Sequence, residues 1–232
     1  MFTTENKFFF LLIITTILFG FKNSETSNTE DGNITPVYIG IEYFAFHPDV
    51  KLIYESTFGE TVCTTWFEND EYVQEFIGDE FKMIQQLKLD TDKLCLTYLE
   101  QKLEILFFTA HSIQVTYSEP AKLVSIPIQK DIISRWTGLE YVNDYPADTI
   151  VITSEYVGNE TIVSEAGQFD CIKLAYAITK SSGRVNKYTE WRAPDVGLVQ
   201  LTAEVDQKGF IGLITKILGY DEIVFLLKKI ES

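Results

Sequence analysis

The sequence predicts a mainly β fold, a single antiparallel domain over residues 38–232 with few helices. Three observations predict it. Short runs rich in Val, Ile, Thr, Tyr and Phe, bounded by turn residues, recur from about residue 50 to the end. Several of these runs alternate with a period of two, which gives one apolar face and one smaller or more polar face. Three consecutive runs between Cys171 and Val205 are joined by short turns, the pattern of a β-meander.

The amino-terminal residues read as an address. Lys7 precedes an uncharged run from Phe8 to Phe21, and a polar stretch from Lys22 to Pro36 follows. A basic start, an apolar run and a polar flank make a secretory signal peptide, placed over residues 1–26, with a disordered tether over 27–37. A helix over the run reaches only about 21 Å, short of the roughly 30 Å hydrocarbon core, which disfavours a full span. No Ala-x-Ala marks a cleavage site, so an uncleaved anchor stays open, and membrane contact, if there is any, is through this end. The chain is expected to be exported, to the periplasm or outside the cell.

The strands follow in order. Lys51 to Ser56 and Thr61 to Phe67 read as a hairpin around Phe58-Gly59-Glu60. From Glu71 to Leu87 two periods compete: Val73, Phe76, Ile77, Phe81, Ile84 and Leu87 fit one helical stripe, whereas Phe81, Met83, Leu87 and Leu89 fit a strand. Gly78 in the middle weakens the helix. Leu94 to Leu99 and Leu103 to Phe108 read as a hairpin turning at Glu100-Gln101-Lys102. Ile150 to Val157 places Ile150, Ile152, Ser154 and Tyr156 on one face, with Gly158-Asn159 leading to the next strand. Ile172, Leu174, Tyr176 and Ile178 alternate cleanly in the run from Cys171 to Lys180. Val185 to Arg192 returns after Ser181-Ser182-Gly183, and Pro194 should end that strand at Trp191 because it cannot donate to a ladder. Leu198 to Val205 alternates through Val199, Leu201 and Ala203, and Glu222 to Ile230 closes the domain as a buried strand, although a short helix fits nearly as well.

Composition narrows the function. The 232 residues are 46% hydrophobic and 14% aromatic, too apolar for a mostly disordered chain. Lys and Arg number 19 against 34 Asp and Glu, a net charge of −15 that argues against nucleic acid as a partner and against a basic patch on anionic lipid.

Two motifs carry a family likeness. Ala166-Gly167-Gln168-Phe169-Asp170-Cys171 is followed by Trp191-Arg192-Ala193-Pro194-Asp195-Val196-Gly197-Leu198-Val199, and Ser134-Arg135-Trp136-Thr137-Gly138 lies upstream. Over roughly Ile133 to Val205 the chain resembles a family of exported bacterial β-proteins of unknown function. The resemblance implies a curved antiparallel sheet or half-open barrel, similar in general shape to lipoprotein carriers, and no catalytic residue. On backbone grounds alone, Gly167 and Gly197 sit where turns meet strands and a positive φ is often needed.

A search for chemistry finds none that is specific. No Gly-x-Ser-x-Gly elbow occurs, and His47 and His111 are too few for a metal cluster. The glycines at 209, 212 and 219 lack the phosphate-loop spacing. Carboxylates at Glu68, Asp70, Glu71, Glu75, Asp79 and Glu80 read as a solvated acidic face rather than as a calcium site or a glycosidase pair. Three cysteines make no disulfide framework, and whether Cys63 pairs with Cys95 stays open. Asn33-Ile34-Thr35 and Asn159-Glu160-Thr161 are sequons, meaningful only in a eukaryotic secretory pathway.

The expected function is therefore non-enzymatic and without cofactor or metal: an exported envelope protein whose curved sheet binds a lipid or another apolar or amphipathic ligand. The candidate pocket residues are Trp136, Tyr156, Tyr176 and Trp191, bulky side chains with polar tips on the second-half strands. The rival is a structural or interaction protein of the envelope whose sheet is filled by its own side chains. Oligomeric state and ligand identity are not set by the sequence.

Overall fold

The computed structural model describes residues 40–79, 81–105, 108–204 and 222–232. The signal peptide and tether assigned to residues 1–37, with the sequon at Asn33, lie outside them. A 3-10 turn, Ile41–Phe44, leads into β1 (Lys51–Ser56), β2 (Gly59–Glu68), β3 (Glu71–Ile77), β4 (Phe81–Leu89), β5 (Lys93–Ile105) and β6 (Phe108–Ser125). The second half holds β7 (Ser134–Val142), β8 (Tyr145–Ser164), β9 (Gly167–Lys180), β10 (Val185–Ala193), β11 (Gly197–Glu204) and β12 (Glu222–Glu231). Each strand pairs antiparallel with the next, and β1 pairs with β12, from Lys51↔Glu231 to Ser56↔Phe225. The expected curved sheet is thus a closed barrel, its first and last strands paired with one another.

The alternation read in the sequence is the inside–outside pattern of this barrel. Ile172, Leu174 and Tyr176 of β9 are buried, as are Ile150, Ile152 and Ser154 of β8, while Lys173, Thr179, Thr153 and Glu155 face outward or sit half-exposed. That is the inverse of the apolar-out, polar-in pattern of membrane barrels. Bulges, as between Gln86 and Leu87 or Trp191 and Arg192, bend the strands around the core.

One open local reading is decided and three local expectations are corrected. The ambiguous stretch from Glu71 to Leu87 is a β-hairpin, β3–β4, and Gly78 lies in its turn rather than inside a helix. Glu100-Gln101-Lys102 is the middle of β5, not a turn. Glu100 and Lys102 are outward neighbours paired at 2.9 Å, and Gln101 between them points inward. Gly158-Asn159 likewise ends nothing: the register shifts there, at a glycine φ of +156°, and β8 continues to Ser164. Finally, β10 runs past Trp191 to Ala193, because the missing donor of Pro194 matters only one residue later.

Several turns obey local chemistry. Asn69-Asp70 and Asn143-Asp144 have positive φ at both positions, as a two-residue hairpin loop requires. Gly197 has φ +86°, and a Cβ there would stand 2.7 Å from the Ala45 carbonyl oxygen. The chain before β1 packs against this turn: Asp195 N donates to Glu42 O at 2.9 Å, and His47 Nε2 lies 2.7 Å from Asp195 O. The segment thereby inserts Phe44, fully buried, into the hydrophobic cluster at one end of the barrel.

Candidate ligand cavity

Inside the barrel lies an empty space of about 1070 Å³, open solvent at its mouths included. Leu87, Leu94, Leu96, Leu99, Ile150 and Ile152 form much of its wall, as expected for inward positions of alternating strands. Polar side chains interrupt that wall in three places.

The first is a row of glutamines on neighbouring strands. Gln85 Nε2 donates to Gln74 Oε1 at 2.8 Å, and Gln74 Nε2 reaches Thr65 Oγ1 at 3.3 Å. Gln101 stands beside them on β5, with its Nε2 3.7 Å from Met83 Sδ. The second is on β10 and β9. Arg192 Nε donates to Glu190 Oε2 at 2.7 Å, and the guanidinium lies 5.0 Å from the Phe44 ring centroid. Tyr176 and Tyr188 stack beside this pair with centroids 4.4 Å apart and planes within 4°. The third is Glu140 of β7, whose Oε2 accepts from Lys180 Nζ at 2.6 Å, the carboxylate being buried and the lysine partly so.

Burial sets the electrostatics. It pushes the phenols of Tyr176 and Tyr188 well above their ordinary value, and Glu190 adds to the shift in both. Burial by itself would pull Arg192 down, but Glu190 and Tyr176 outweigh it and raise its pKa. The Arg192 guanidinium is therefore balanced within the barrel by Glu190, which a buried charge needs. Gln101 Oε1 and Glu140 Oε1 are buried without a hydrogen-bond partner among the described residues, and so is Ser154 Oγ on β8.

The four aromatic candidates do not line one cavity. Tyr176 is in the cavity wall. Trp136 shares the inner face of β7 with Glu140 and meets the wall residue Tyr117 edge-on at 5.9 Å. Tyr156 borders a separate, smaller hollow of about 370 Å³ with Ser134, Ser154 and Ile128, and its hydroxyl donates to Asn159 Oδ1 at 2.9 Å. Trp191 is in register with Lys173 and Gln200, on the face opposite Glu190 and Arg192. Its Nε1 donates to Glu160 Oε2 at 2.8 Å, and Lys173 Nζ lies 4.7 Å over its ring. Trp191 is nonetheless buried, in one cluster with Ile162, Phe169 and Val199, because the β8–β9 hairpin extends beyond its pairing with β10.

Sequence reasoning missed Gln74, Gln85, Gln101, Glu140, Glu190 and Arg192. Their signal is a polar residue at an inward step of an otherwise apolar alternation, as at Leu99-Glu100-Gln101. Cys63 and Cys95 lie on β2 and β5, with β3 and β4 between them, and all three cysteines are free and buried. Among the described residues, no group of three or more His, Cys, Asp and Glu is placed to hold a metal ion.

Fold and site together define an antiparallel β-barrel that encloses an apolar cavity with a few buried polar groups. Residues 143–210, which hold β8 to β11 and both motifs of the second half, match the model of the DUF3108-like family. No curated protein matches the chain. Among solved structures the chain is similar to the hypothetical lipoprotein YmcC from Escherichia coli (K12), at 15% identity and a TM-score of 0.41, over 79% of this chain and 85% of that one. It is also similar to a Bacteroides fragilis protein described as exported and YmcC-like in fold, at 12% identity and a TM-score of 0.41, over 82% of this chain and 98% of that one.

Proposed function

We propose that this protein is an exported binding protein whose barrel encloses an apolar or amphipathic molecule. The cavity carries the reading. A wall of Leu and Ile with a few fixed polar groups is the usual make-up of a small-molecule site, and it suits a hydrocarbon chain with one polar end. Export rests on the apolar run at Phe8 to Phe21 and its flanks.

Native mass spectrometry of protein purified from its own source tests the reading, with an added mass that organic extraction removes as the expected result. The extracted protein should then bind a fluorescent fatty acid saturably, and Leu96→Trp, which fills the cavity, should abolish binding with the β circular dichroism unchanged. A bare chain that binds no amphiphile would leave a barrel filled for structural purposes.

A further inference from the structure

Antiparallel order decides which loops share an end of the barrel. The segment before β1, the turns β2–β3, β4–β5 and β10–β11 and the loop β6–β7 lie at one end, and the turns β1–β2, β3–β4 and β7–β8 at the other. Exposed large apolar side chains are divided unevenly between them. Ile41 (48% exposed), Phe67 (55%), Ile132 (56%) and Ile133 (59%) stand at the first end, with Ile230 beside Leu52 at the start of β1. Ile77 and Tyr145 stand at the other, and Val157 and Val163 along β8.

Contacts join the first group across the mouth of the barrel. Phe67 is the last inward step after Thr61, Cys63 and Thr65, and its ring lies 5.0 Å from that of its strand partner Tyr72. Phe46 stacks on Tyr72 at 4.7 Å. Tyr43, Phe46, Tyr72 and Tyr156 pack on the cluster that holds Phe44 and Ile128, and Ile132 borders the small hollow beside Ile128 and Tyr156. A turn with Asp131 at φ +64° and Ile132 N donating to Gln129 O at 3.3 Å presents Ile132 and Ile133 to solvent. Single exposed apolar residues are ordinary, whereas a linked set at one end marks an interaction surface.

We propose that this end of the barrel seats on a lipid bilayer surface, with Ile41, Phe67, Ile132 and Ile133 entering the headgroup layer. Tyr43, Tyr72 and Tyr156 at the rim, apolar rings with polar tips, suit that depth. The chain also leaves towards its apolar run from this end: residues 22–39 join Phe8–Phe21 to the barrel, a reach of at most about 60 Å. Charge selects the lipid. In the segments between strands at this end Glu42, Asp49, Asp70, Asp92, Asp131 and Asp195 are exposed, against Lys130 as the one exposed Lys or Arg among the described residues. An anionic surface is repelled by that balance and a zwitterionic one is not. The proposal does not rest on the cavity.

All three native cysteines are buried, so a cysteine introduced at an exposed position takes an environment-sensitive dye. The full-length protein, labelled at Phe67→Cys, Ile133→Cys or Tyr145→Cys, is mixed with phosphatidylcholine vesicles. Emission should shift to the blue at the first two positions and stay unchanged at the third, which reads the contacting end whichever part of the chain holds the protein on the vesicle. Ile132→Asp with Ile133→Asp should remove the shift at Phe67→Cys, with the β circular dichroism unchanged. A shift at Tyr145→Cys, at only one of the first two positions or at none would overturn the proposal, as would a shift at Phe67→Cys that survives the double substitution. A shift seen only on vesicles enriched in phosphatidylglycerol would overturn it in favour of an electrostatic contact. A shift without vesicles that grows with protein concentration would give the surface to a second copy of the chain. None of these outcomes involves the barrel interior, so the ligand reading stands or falls separately.

Discussion

Arg192 Nε donates to the Glu190 carboxylate at 2.7 Å from two positions along the same strand, both side chains pointing into the barrel. Strand alternation places residues i and i+2 on one face, so a single strand supplies both charge and counter-charge. The guanidinium also faces the Phe44 ring at 5.0 Å, which ties the segment before β1 to the cavity end.

Breaking this pair should cost far more than removing it. Arg192→Leu leaves Glu190 buried and unpaired, and should destabilise by about 3–5 kcal/mol. Glu190→Leu combined with Arg192→Leu should cost much less than Arg192→Leu alone. Urea midpoints of the three proteins decide this; equal losses in the single and double variants would show that the pair is not the unit that matters.

Gly197→Val should destabilise by about 1–3 kcal/mol through backbone strain and crowding of the Ala45 carbonyl. Gly183→Val, at φ +83° with open space around it, meets only the strain and should cost less. A thermal melt of Gly197→Val that matches the unsubstituted protein would remove the backbone role from this glycine.

Stability should decline in alkali. Burial pushes the Cys63 thiol up from 9.0 to about 12, and pushes the phenols of Tyr54, Tyr176 and Tyr188 well above 10.0. Folded values above unfolded ones mean that the unfolded chain releases protons first. The contribution of these groups is complete below pH 9 and shrinks as pH rises towards 12. The urea midpoint should therefore fall above about pH 9, with phenolate absorbance of these tyrosines appearing only on unfolding. A midpoint level to pH 11 would contradict the burial of these groups.

A chain beginning at Ser27 keeps every described strand and loses only the segment read as a signal peptide. It should run as a single species in size-exclusion chromatography. Aggregation of this shorter chain beside a soluble full-length form would count against the export reading.

The second half of the barrel was legible because its signals are local. The alternation at Ile172, Leu174 and Tyr176 and the turn at Pro194 to Gly197 each lie within one strand or one loop. Each reports a preference of the backbone or of one face. The first half read less well where local signals conflict. In β3–β4, apolar residues on both sides of Gly78 imitate a helical stripe, and pairing of Phe76 with Met83 decides the matter. In β5 the polar trio Glu100-Gln101-Lys102 imitates a turn, and only a barrel interior with room for an amide explains Gln101.

By itself the sequence determined the β class, the antiparallel order of the later strands, the turn glycine and the acidic character, since each depends on neighbours in the chain. Closure of β1 on β12, the meeting of Glu140 with Lys180 across 40 residues, and the outward placement of Trp191 were decided by the tertiary structure alone. Their physical reason is register. A bulge or a one-residue shift exchanges inside for outside, and the pairing of distant strands that fixes it leaves no local trace.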